Sequence, residues 1–329
     1  MKKQTVSMLV GLIVFPISAA VLVIRYNIVM KRSYVVLMII ALSVCSSILA
    51  FYDGDFTVYY TAGAALRFGL NPYLIYRFNS PIVVAALFAP LTFIPYTLAF
   101  RLSMFFSTAV ILIVFWRASQ DNWFLFLVAC LMPMFLFNFF YYNIDWMAFF
   151  AMLLLPVYPI PAFLLAMTKP QTGLVLVLLV SLNMFRKRRY SWLTALIMFQ
   201  AFNYGLSFAA GMRWDYLLDR PGNWSLFPLS IIIGLPLAIY SLKHYSPEAG
   251  LAAATLLSPY VGPQSWIAVV PFILSALHQA MMITKPLPPR PPSPPVTPPP
   301  PPPPPHPKEP PPPLPPLPLA PLEPPPDPL

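Results

Sequence analysis

The chain has 329 residues; 58% are hydrophobic, 9% are charged, 45 are proline, and the formal net charge is +10. A soluble globular chain carries about 25% charged residues, so that class is excluded and lipid is the expected solvent. Two cysteines and three scattered histidines (His244, His278, His306) exclude a disulfide framework and leave no metal site to be read.

At the N-terminus, Lys2 and Lys3 precede an apolar run over 7–24. The run has no clear small-residue cleavage site, so it reads as a helix and not as a signal peptide. With the basic loop containing Arg25, Lys31 and Arg32 it makes up residues 1–33. Further runs lie at 34–51, 95–116, 123–140, 172–185, 190–210, 227–242 and 264–284. They approach the roughly 20 residues that a bilayer span needs. Shorter apolar pieces lie at 81–94, 144–156, 159–168 and 248–258, and prolines at 90, 133, 156, 159, 161 and 259 break many of them. Broken helices are tolerated at membrane depth where they line a cavity in the protein. The expected fold over 34–285 is therefore all-α, a polytopic transmembrane bundle of roughly ten or eleven helices, some short. Cys45 and Cys130 lie in apolar runs and read as small core residues.

The basic residues set the expected orientation. With Arg25, Lys31 and Arg32 in the cytoplasm, an alternating path also places Arg117, Arg186–Arg189 and Lys243 inside. Asp53, Asp55, Asp145, Asp215 and Asp219 then fall on the outer face. Lys2 and Lys3 do not fit this scheme if 7–24 crosses the bilayer. Because the basic residues sit in short loops between apolar runs, nucleic acid is not an expected partner. From Pro286 the composition changes: 28 of the last 44 residues are proline. Proline has no N–H donor, so this stretch cannot build a helix or sheet ladder. Residues 286–329 are expected to be a disordered inner tail, either a spacer or a ligand for an aromatic-lined proline-binding partner.

The stretch richest in chemistry is Asp53-Gly54-Asp55-Phe56-Thr57-Val58-Tyr59-Tyr60, followed by Gly69 and Asn71-Pro72-Tyr73. Asp55 is placed to cap a helix starting at Phe56, with Asp53 as a solvated loop charge. Gly69 and Asn71-Pro72 are placed to end that helix. Lys169 stands at a helix break beside Pro170. Arg101 lies inside the run 95–116, where a lone charge costs roughly 2.5–3.5 kcal/mol at the helix centre. Arg213 and Arg220 flank Trp214 and Trp224 and read as interfacial anchors.

The order Asp-Phe-x-Val-Tyr-Tyr-x-Ala, a glycine, then Asn-Pro-Tyr resembles the opening of the GT-C glycosyltransferases of family 87. These are the polyprenol-phosphate-mannose-dependent mannosyltransferases and their bacterial relatives. Ser80-Pro81 with Ala89-Pro90-Leu91, Asn143-Ile144-Asp145, Lys169-Pro170-Gln171 with Arg186–Arg189, and Ser258-Pro259-Tyr260 with Trp266 follow in the family's order. Tyr142 stands where the family often has a glycine, and the chain is short for the family. The resemblance covers about residues 34–284.

It implies a GT-C-like bundle in a bacterial-type plasma membrane, with its active site outside. It also implies inverting transfer of a mannose-like hexose from a polyprenyl-phosphate donor, with no cofactor and no metal. Asp55 would be the general base, with Asp53 in reserve, and Lys169 and Arg101 would bind the donor phosphate. Tyr59, Tyr60, Asn143, Asp145, Trp146 and Trp266 would be substrate contacts. The alternative is a non-catalytic membrane scaffold that recruits partners through its proline-rich tail. A secondary transporter ranks lower, because the chain has no internal repeat.

Overall fold

The computed structural model describes residues 32–213 and 223–283. The run 7–24, the proline-rich tail, Asp215, Asp219 and Arg220 lie outside the described residues. Among the described residues there are thirteen α-helices and no strand. They are α1 (Arg32–Leu49), α2 (Asp55–Arg67), α3 (Ile82–Phe88), α4 (Tyr96–Ala118), α5 (Trp123–Leu131), α6 (Pro133–Phe140) and α7 (Trp146–Leu154). They continue with α8 (Pro159–Ala166), α9 (Pro170–Arg186), α10 (Tyr190–Ala209), α11 (Ile231–His244), α12 (Pro247–Leu257) and α13 (Val270–Ile283). Short 3₁₀ turns occupy Pro72–Leu74, Ala89–Phe93 and Pro263–Val269.

Each apolar run read from the sequence within the described residues contains helix, and the prolines set several boundaries. Pro133 splits the run 123–140 into α5 and α6, which meet at a bend of 65°. Met132 before it is extended, as a residue preceding proline must be. Proline also opens α8, α9 and α12 at positions where the missing N–H has no intrahelical partner to lose. Two helical segments, Tyr96–Ala118 and Pro263–Ile283, are long and apolar enough to cross a membrane, and the bent α5–α6 pair meets the same test as one unit. The molecule is a helical membrane protein.

α4 is central and packs against α1, α7 and α13. The main core runs from its C-terminal half through Phe126, Phe149, Leu155, Leu176 and Leu179. A second core, around Phe56, Phe88, Phe100 and Met104, binds α2 and α3 to the start of α4. Cys130 is partly buried, but Cys45 is exposed on α1, so it is not a core residue.

α7 and α8 span about 13 Å each at 1.5 Å per residue, well short of a bilayer. They are joined by the turn Leu155–Tyr158 and packed on each other. Beyond α8 the chain turns into α9 so closely that Gly173 lies against the Ala166 backbone. A Cβ built at Gly173 would stand 1.9 Å from the Ala166 carbonyl oxygen. The obstacle is backbone and cannot rotate away. Gly173→Ala should therefore destabilise the protein by at least about 1–3 kcal/mol, the usual cost of overpacking. Thermal unfolding of the detergent-purified protein would read this as a lowered midpoint, and an unchanged midpoint would contradict the packing.

Candidate functional site

Gly54 has φ +45°, a conformation that suits glycine, and a Cβ there would meet the Tyr52 ring at 3.0 Å. This turn separates the two carboxylates. Asp53 accepts a hydrogen bond from the Tyr96 hydroxyl, which also pairs with Thr57 Oγ1 at 2.7 Å. Asp55 is the first residue of α2, and Gly54 holds the position before it. The helix thus starts one residue earlier than expected, at Asp55 and not at Phe56, and Asp53 is not a free solvated charge. Asp55 lies close to Tyr142: burial pushes the Tyr142 phenol pKa up, and the charge of Asp55 raises it further. At the other end of α2, Gly69 at φ +72° and the Leu70 N–H bonded to the Ala65 carbonyl at 2.8 Å form the expected C-terminal stop.

Lys169 sits between α8 and α9 with its side chain 13% exposed. Its ammonium pairs with Asp145 Oδ1 at 2.8 Å, and Asp145 is fully buried. It also donates to Asn143 Oδ1 at 2.8 Å and to Ser265 Oγ at 3.2 Å. An ammonium has three N–H donors, so this geometry uses all of them. Asp145 Oδ2 accepts from Asn143 Nδ2 at 2.7 Å, and Thr172 Oγ1 lies 3.3 Å from Oδ1. Asp145 precedes α7 and Lys169 follows α8, so the pair closes the base of that helical hairpin.

A cavity of about 490 Å³ opens beside this network. Asp55, Tyr59, Arg77 and Lys169 all line it, with Tyr204 from α10 and Tyr260 from the segment after α12. Its volume falls within the roughly 300–1,000 Å³ typical of small-molecule sites. Residues read separately from the sequence, Asp55, Tyr59 and Lys169, thus meet in one place. Asp53, Tyr60, Asn143, Asp145, Trp146 and Trp266 are not among its lining residues. Asn143 and Asp145 instead stand behind Lys169 and hold it. Tyr60 donates to the Ile94 carbonyl at 3.1 Å, and Trp146 donates to the Tyr142 hydroxyl at 3.0 Å.

Arg101 is also absent from the cavity lining. Its Nη1 donates to the carbonyls of Ser47, Ile48 (2.8 Å) and Ala50 (3.0 Å). It caps the C-terminal end of α1, whose last carbonyls have no intrahelical donor. The basic residue that sequence reasoning missed is Arg77. It lines the cavity, is exposed, and has φ +70°, uncommon outside glycine. Arg67 and Arg77 are the two basic residues between Asp55 and Phe93, and nothing in the sequence separates the one at the cavity from the other.

The wall carrying Arg77 is fixed by α10. Asn203 Oδ1 accepts from the Val83 N–H at 3.2 Å, and Ser207 Oγ accepts from the Ile82 N–H at 2.9 Å. Those are donors of the first turn of α3, which Pro81 precedes. Nearby, Asn71 Nδ2 donates to the Ala210 carbonyl at 2.8 Å. Among the described residues no three His, Cys, Asp or Glu side chains lie together as metal ligands.

Comparison of the chain with protein-family models, with curated proteins and with solved structures returned no match. The site therefore rests on its own geometry. Removing one member of a buried ion pair leaves an uncompensated charge, at a cost of about 3–5 kcal/mol. Lys169→Met and Asp145→Leu should each destabilise the fold by that order, while the double variant should lose less than the sum. A thermodynamic cycle from unfolding of the four proteins measures the coupling, and strict additivity would contradict the pairing.

Proposed function

We propose that this chain is a multi-pass membrane hexosyltransferase. It would take a mannose-like sugar from a polyprenyl phosphate and transfer it, with inversion, to a hydroxyl of a lipid, glycan or protein on the outer face. One observation carries this reading. A carboxylate, Asp55, and two cations, Arg77 and Lys169, come from separate segments and line one cavity.

The chemistry needs both signs of charge. The acceptor oxygen attacks the sugar C1 as its proton passes to Asp55. The bond from C1 to the phosphate oxygen breaks, and polyprenyl phosphate leaves with the electron pair. Arg77 is the better phosphate ligand of the two cations, because the guanidinium matches phosphate oxygens in a fixed fork. Lys169, already paired with Asp145, adds its charge from the cavity wall and holds the α7–α8 hairpin in place. Tyr59 and Tyr260 offer ring surface to the sugar. Arg101 has no part in this scheme, since it does not line the cavity and its Nη1 is bonded to carbonyls at the end of α1.

The arrangement of ends supports the outward orientation. α4 starts at Tyr96, beside Asp53, and has Arg117 in its last turn, and α9 starts at Pro170, next to Lys169, and ends at Arg186. Both therefore carry a basic end remote in sequence from the cavity end. With Arg117, Arg186–Arg189 and Lys243 in the cytoplasm, the cavity opens outside.

A positioned general base contributes about 10²–10⁴-fold. Asp55→Asn should lower sugar transfer by that factor in proteoliposomes supplied with polyprenyl-phosphate mannose and an acceptor extract. Asp53→Asn, one turn away and outside the cavity, should lower it far less. Transfer unchanged by Asp55→Asn would remove Asp55 as the base.

A further inference from the structure

The segment between Arg67 and Phe93 has a second face that the cavity does not use. Phe68, Leu70, Leu74, Tyr76 and Phe93 are each 60–79% exposed. In the same region Phe56, Phe78 and Phe88 are no more than 2% exposed. The layer is thus two-faced: one set of aromatics fills the second core and another is turned outward. Arg67 is fastened to the outward set. Its guanidinium lies 4.0 Å from the Phe93 ring centroid and 5.1 Å from that of Phe68, and Nη1 donates to the Thr92 carbonyl at 2.9 Å.

Charge and continuity identify what covers this face. Residues 56–93 contain two arginines and no Asp or Glu, which suits phosphate. Shortly after Phe93, α4 carries exposed Leu98, Leu102 and Phe106 at spacings of four. Residues four apart share one face of a helix. The apolar surface around Phe93 therefore leads into the outward stripe of a helix long enough to cross a bilayer. Aromatic rings with an arginine whose stem lies on apolar surface are suited to the boundary between headgroups and acyl chains.

We propose that the Arg67–Phe93 face is a membrane-interface anchor. Phe68, Leu70, Leu74, Tyr76 and Phe93 sit at the acyl boundary of the leaflet on the cavity side, and Arg67 bonds to phospholipid phosphate. The proposal rests on the membrane-spanning reading but not on sugar transfer. It has a consequence for the site, because Arg77 and Pro81 belong to the same layer and line the cavity. The bilayer surface then sets the height of one cavity wall.

Cys45 and Cys130 are the two native cysteines. With both replaced by alanine, single cysteines at Leu74, Phe93 and Phe106 can carry a nitroxide label in turn. The full chain is placed in nanodiscs of phosphatidylcholine and phosphatidylglycerol, and collision with oxygen is compared with collision with a water-soluble nickel complex. Labels at 74 and 93 should favour oxygen at a shallow depth, with the label at 106 deeper. Nickel favoured at 74 and 93, with oxygen favoured at 106, would leave the membrane reading standing and overturn the anchor. Protection from both reagents at 74 and 93 would overturn it in favour of a protein cover, such as a second copy. Nickel favoured at all three would overturn the spanning role of α4 as well.

Discussion

An ammonium largely buried at a helix end needs a carboxylate, and Lys169 has Asp145 at 2.8 Å. That requirement organises the centre of the molecule. The two residues flank α7 and α8, so satisfying the charge forces the short hairpin to return to its starting level. Asn143 and Ser265 accept the remaining two hydrogen bonds of Lys169, which ties the segment before α7 to the 3₁₀ turn before α13. Gly173 then allows α9 to leave from the same point with its backbone against Ala166. A larger residue at 173 would push apart the same junction that the ion pair draws together.

The same logic recurs at other helix ends. Arg101 closes the last carbonyls of α1 from inside α4, and Asn203 and Ser207 on α10 close the first N–H groups of α3. Away from water an open helix end is expensive, and a side chain from another helix is the available partner. Each such bond also fixes a relative position. Apolar contacts in lipid discriminate weakly between neighbouring arrangements, because lipid tails are as apolar as leucine. The polar caps therefore give the bundle much of its register.

This explains which features were legible in the sequence. Helices follow from apolar runs bounded by proline and glycine, which are local signals, and the ends of α2, α5 and α9 lie close to where those signals fall. Asp55 and Lys169, which line the cavity, stood out in the sequence: Asp55 through the Asp-Phe-x-Val-Tyr resemblance and Lys169 as a charge at a helix break beside Pro170. Their partners did not. Asp145 could be read as a substrate contact, and Arg101 as a phosphate ligand, since composition does not say which distant group neutralises a charge. Arg101 meets carbonyls more than fifty positions earlier, a pairing set by how α1 lies on α4. Arg77 was missed for the opposite reason. It sits in an irregular stretch with no apolar run around it to make a charge conspicuous.

The cavity and the helix breaks have a common origin. Its lining comes largely from non-helical or helix-end backbone: Arg77 to Pro81, Thr168 to Gln171, and Ser258 to Tyr260. Non-helical backbone at membrane depth must face protein or a water-filled space. Helices as short as α3, α7, α8 and α12 end part-way through, so they create such backbone in several places at once. Several of those ends, at Pro81, Pro170 and Leu257, gather around one cavity. The prolines at 81, 170 and 259 therefore do more than interrupt helices. They stand in the cavity lining beside Arg77, Lys169 and Tyr260, where the chain leaves regular helix.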